Sequence, residues 1–166
     1  MPEPQTPTEY VSAISRSAGK LAGGCRELGL QAVGVGRRLQ EDVHALDREV
    51  ARLAREVDPA EIARLEARLA RGAVVEPGEG EDERQMRKLL QDQRDVLLRL
   101  RLRVEEAQAR RDQRLQALRE LWQGLAELEG ASTVEEGELV SRLRERLAGL
   151  HERPEPGFDA TETRAR

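Results

Sequence analysis

Asparagine is absent from this sequence of 166 residues, and the aromatic side chains are one each of Tyr10, Trp122 and Phe158. The first absence removes any N-glycosylation site. The second means that a core must be assembled almost wholly from Leu, Val and Ala, which suits long helices that bury a narrow stripe and solvate the rest. Cys25 is the single cysteine, so no intrachain disulfide can form and a reducing, cytoplasmic setting is expected. Long hydrophobic runs are missing as well. The longest uncharged stretch of the helical region, residues 28–36, falls far short of the roughly 20 residues that span a bilayer. Residues 1–9 carry prolines and acids without an apolar run and do not read as a secretory signal.

Lysine is scarce, with Lys20 and Lys88 the only two; the other basic residues are arginines, and the net charge is −4. A nucleic-acid surface normally comes with net positive charge, so none is expected. Arginine also serves as a helix former whose apolar stem can cover a seam. Charged residues reach 36%, yet the apolar ones are too periodic for wholesale disorder.

That periodicity is clearest over residues 82–128. Met86, Leu90, Gln93, Leu97, Leu100, Val104, Ala107, Arg111, Arg114, Leu118, Leu121, Leu125 and Leu128 follow one another in alternating steps of 4 and 3. This is the seam of a helix packed lengthwise on another helix. Leu89, Val96, Leu98, Leu102 and Leu115 lie off that seam and widen the apolar face toward a third or fourth helix, from this chain or a second copy.

A first helix is expected over about 7–71. Thr6, Pro7 and Glu9 form a capping box with proline at the first helical position. Its seam runs from Val11 to Val57 with a stutter between Val35 and Val43. Six glycines, Gly19, Gly23, Gly24, Gly29, Gly34 and Gly36, each cost roughly 1 kcal/mol of helix stability, leaving the stretch dependent on packing. A kink is expected near 58–59, where Asp58, Pro59 and Glu61 form a second capping box. Gly72 stops the helix, an acidic loop with Pro77 and Gly78 follows, and a second helix is expected over 82–129. A third capping box, 132–135, opens a shorter helix over 133–150. Residues 1–5 and 152–166 read as disordered ends flanking one helical domain, 6–151.

The fold expected is therefore all-α: a long antiparallel, coiled-coil-like hairpin with a third, shorter helix. With the loop centred near residue 77, position i should face about 153 − i. Trp122 then falls opposite Gly29, Ala32 and Gly34, where small side chains would receive the indole. Arg111 and Arg114 interrupt the seam as a polar layer opposite Asp42 and Glu41, a device that sets register.

Nothing points to catalysis. There is no phosphate-binding loop or nucleophile elbow, and Gly34-Val35-Gly36 has Leu39 where a dinucleotide fingerprint needs a third glycine. Cys25 reads as a small buried apolar residue without a histidine in local reach. Glu41 and His44 match the Glu-x-x-His spacing of di-iron bundles, but His151 has Ala148 where the second glutamate should be, so no metal or cofactor is expected. Arg99, Arg101 and Arg103 sit among Asp92, Asp95, Glu105 and Glu106 and read as a salt-bridged solvated face.

The expectation is a non-enzymatic coiled-coil scaffold or protein-interaction module that self-associates through its apolar helix faces or takes a protein partner. Two alternatives stand beside it. One is a regulatory subunit of an enzyme encoded elsewhere. The other is a peripheral protein that lays the glycine-rich helix 10–39, with Lys20, Arg26, Arg37 and Arg38, on a membrane surface. That order, an amphipathic start followed by a long hairpin and a short helix, resembles the membrane-remodelling family of phage-shock and endosomal-sorting proteins. The likeness is one of architecture, with no motif shared residue by residue.

Overall fold

A computed structural model describes residues 3–72, 80–131 and 135–151. The acidic-loop positions 73–79, the start of the third capping box at 132–134 and the tail 152–166 lie outside the described residues. Among the described residues there are five helices and no strand: α1 (Pro7–Lys20), α2 (Cys25–Glu56), α3 (Pro59–Arg71), α4 (Glu81–Gly130) and α5 (Glu136–His151).

Local chemistry sets the helix starts. Thr6 Oγ1 accepts the Glu9 N–H at 3.2 Å, and the Glu9 carboxylate accepts the N–H groups of Thr6 and Gln5 at 3.2 and 2.7 Å. That reciprocal box satisfies donors that the first turn leaves free. Asp58 caps α3 by accepting the Ala60 N–H at 2.9 Å, with Pro59 at the first position. Glu81, Asp82 and Glu83 fill the first turn of α4, where the helix dipole favours acids.

The expected first helix is broken at two places. One is the anticipated break before Pro59. The other, over residues 21–24, was not anticipated. Gly23 takes φ 57°, a conformation that a side chain disfavours, and the N–H groups of Cys25 and Arg26 turn back to the carbonyls of Ala22 and Gly23 at 3.3 Å. The chain reverses there. A Cβ at Gly29 would lie 3.1 Å from Ala18 Cβ, and one at Gly36 would lie 3.3 Å from Ile14 Cδ1. The Gln40 amide donates to Thr8 Oγ1 at 2.9 Å. Thus α1 lies antiparallel along α2.

The chain divides into two units, Met1–Glu41 with Leu115–Arg166, and Asp42–Arg114. In the first, α1, the start of α2, the end of α4 and α5 share one core. Ile14, Ala32, Leu118 and Leu125 are fully buried within it, with Leu121, Leu143 and Leu147 close behind. Each large side chain buried in this way contributes about 1.5–3 kcal/mol. The indole of Trp122 meets Tyr10 edge-on, centroids 6.1 Å apart, and Arg119 Nε reaches both Tyr10 Oη and Glu3. Lys20 pairs with Glu129 at 2.5 Å. Arg146 donates to the Glu120 carbonyl at 3.2 Å, and Leu143 fills the space over Gly124. α1 therefore runs antiparallel to α2 and parallel to α4, α5 runs antiparallel to α4, and the four packed segments come from one chain.

In the second unit the remainder of α2, then α3, runs antiparallel to the first half of α4. Gln93 donates to Glu61 at 3.1 Å and Arg114 reaches Asp42 at 3.4 Å. Ile62, Leu65 and Leu97 form one buried cluster there, flanked by Val57, Leu90, Leu98 and Leu100, and Val43, Leu53 and Ala107 are buried along the same unit.

Candidate interaction surfaces

The residues singled out in the sequence separate into two groups. Arg114 meets Asp42, whereas Arg111 reaches a turn further along α2, to Asp47 at 2.5 Å, and also holds Asp112 at 3.1 Å. The hydrogen bond to Asp47 raises the Arg111 pKa, with burial opposing it. These pairs are partly exposed, so each contributes at most about 1 kcal/mol; their directionality, between charges fixed on two helices, suits alignment more than stability.

Trp122, Gly29 and Ala32 lie in the other unit. Ala32 is buried in the shared core and Trp122 packs against that core. The ring contact of the indole is with Tyr10. The closest atoms to a Cβ at Gly29 belong to Ala18 and Leu21, and nothing lies within 4 Å of one at Gly34. Gly29 is small because α1 crosses there, a contact that could not be foreseen while the first helix was taken as continuous. The same rule, 153 − i, sets Glu136 opposite about residue 17, whereas Glu136, in the first turn of α5, accepts a hydrogen bond from Cys25 Sγ at 3.0 Å. The Gly23-Gly24 pair was the available turn signal.

Cys25 is buried, and its thiol pKa is raised by the hydrogen bond to Glu136, then by burial and by the negative charge of the same carboxylate. His44 is exposed. Among the described residues no group of three or more His, Cys, Asp or Glu is placed to hold a metal ion, and no helix is long and apolar enough to cross a membrane.

Exposed apolar side chains concentrate on the first half of α4. Met86, Leu89, Val96 and Leu102 are each more than half exposed, Leu89 reaching 62%. Met86, Leu89 and Val96, with Gln93 between them, follow helical spacing and form one stripe. A groove of about 650 Å³ opens in the same unit at the α2–α3 break, floored by Ala54, Val57, Pro59, Ile62 and Val104 and edged by Glu66 and Glu105. Compared with family models, curated proteins and solved structures, the chain matches none.

Proposed function

We propose that this chain is a non-enzymatic helical scaffold that self-associates through the first half of α4. The observation that carries the reading is the stripe of Met86, Leu89 and Val96, exposed on a unit only two helical layers thick. An apolar stripe of this kind is the face by which helical hairpins pair into four-helix bundles. In the first unit α1 and α5 cover much of the apolar faces of α2 and α4, leaving Leu30 as the exposed large apolar side chain among its described residues.

The membrane-surface reading has less support. It requires a broad apolar face of the glycine-rich stretch to be free for lipid, but Tyr10, Val11 and Ile14 are buried in the core and Gly29 and Gly36 face α1, leaving Leu30 as the large apolar side chain mostly exposed on that stretch. Chemical cross-linking at matched concentrations tests the scaffold: cross-links between copies should centre on Lys88, which neighbours Leu89. Cross-links confined within single chains would count against it.

A further inference from the structure

A second groove, of about 630 Å³, runs between α1 and α2 in the first unit. On the side of α1 and the turn after it the lining is Ser15, Ala18, Gly19, Leu21, Ala22 and Gly23, mostly small residues. Its α2 wall carries Arg26, Leu30, Val33 and Arg37, at spacings of i, i+4, i+7 and i+11 and so on one helix face. The order along that face is cation, apolar, apolar, cation. Leu30 is 65% exposed, the highest value among the large apolar side chains of the described residues.

Charge separates this groove from the one at the α2–α3 break. There Glu66 and Glu105 share the edge with Arg101, which is paired to Glu105 at 3.1 Å. Here no acid lines the groove, and neither Arg26 nor Arg37 makes an ion pair among the described residues. Two guanidiniums without an ion pair among the described residues thus bracket an exposed leucine across from a lining of mostly small residues.

We propose that this groove docks an acidic amphipathic helix of a partner protein, one that presents two apolar side chains bracketed by carboxylates at the same spacing. The assignment rests on the reading of the chain as an interaction module and names the partner chemistry of a different face. The outer carboxylates of such a helix stand about 16 Å apart, matching Arg26 and Arg37 across Leu30 and Val33. A bidentate carboxylate suits each guanidinium, while the apolar pair fills the cleft over Gly19 and Gly23, in the mode of helix-in-groove recognition. A lipid surface would not use the concavity or the fixed distance between the cations.

Fluorescence anisotropy of the full chain with a labelled model helix tests this. The probe is an alanine-rich peptide with two leucines bracketed by glutamates at the stated spacing; its counterpart carries lysines instead. The glutamate peptide should bind, more weakly as salt is raised, and the double variant Arg26→Glu, Arg37→Glu should weaken it roughly tenfold or more while gaining affinity for the lysine peptide. Gly19→Leu should block the groove without disturbing the fold, since nothing lies within 4 Å of a Cβ there. Equal binding of both peptides, or indifference to the charge reversal, would overturn the assignment. So would capture by phosphatidylglycerol vesicles in place of the peptide. Loss of peptide binding with self-association intact would remove this groove and leave the scaffold reading standing; loss of both would remove the two together.

Discussion

Two side chains report directly on their surroundings. The Cys25 thiol donates to Glu136 and is held in its neutral form by that contact and by burial. Thiolate is the reactive species, so maleimide labelling of Cys25 at neutral pH should be slow, and Glu136→Gln should accelerate it several-fold; equal rates would mean that α5 does not start beside Cys25. Glu9 behaves oppositely. Hydrogen bonds from the backbone of Gln5 and Thr6 hold its pKa below the ordinary glutamate value. A depressed value means stability that is present above the ordinary range, near about 4.3, and is lost as acid carries the group through its lower folded value. Glu9→Gln should therefore lower the melting temperature at neutral pH, with the gap from the parent closing below about pH 4. A gap that stays constant with pH would contradict the capping box.

At the scale of elements, glycines on one helix play different parts. Gly34 has open space around it, so Gly34→Ala should gain about 1 kcal/mol of helix propensity, a rise of about 2–4 °C in melting temperature for a chain of this size. Gly29 is closed off by Ala18, whose Cα lies 3.2 Å from where a Cβ would sit. Backbone cannot give way cheaply, so Gly29→Ala should lower the melting temperature despite the better propensity. Parallel gains at both positions would argue against α1 lying on α2. The capping box at Thr6, the cap at Asp58 (without the expected return bond from Glu61, whose carboxylate accepts from Gln93 instead), the stop at Gly72 and the long helix through residues 82–128 were legible because each depends on neighbours in sequence. The reversal at Gly23 was masked by a seam that keeps its heptad steps through the turn: Leu21, Cys25 and Leu28 remain apolar and correctly spaced on either side. Local spacing records which side chains are buried but not which helix buries them. The glycines were accordingly read as a cost to one continuous helix, when two of them make room for another.

At the scale of the whole molecule, apolar burial is unevenly shared between the units. The off-seam residues marked in the sequence divide accordingly: Leu115 packs against the larger core, whereas Leu89, Val96 and Leu102 remain exposed. The sequence showed that the apolar face was too wide for two helices but not where the chain itself would cover it, because coverage depends on the folding back of α1 and the docking of α5. Apart from Leu30 on α2, the exposed large apolar side chains among the described residues lie on α4. Size-exclusion chromatography with light scattering, on the parent chain and on the double variant Leu89→Glu, Val96→Glu, tests this most directly. Both positions are exposed, so the variant should fold with unchanged helicity. The parent should elute with at least twice the 18.6 kDa chain mass and the variant with the single-chain mass. A monomeric parent, or a variant that associates as strongly as the parent, would contradict the account.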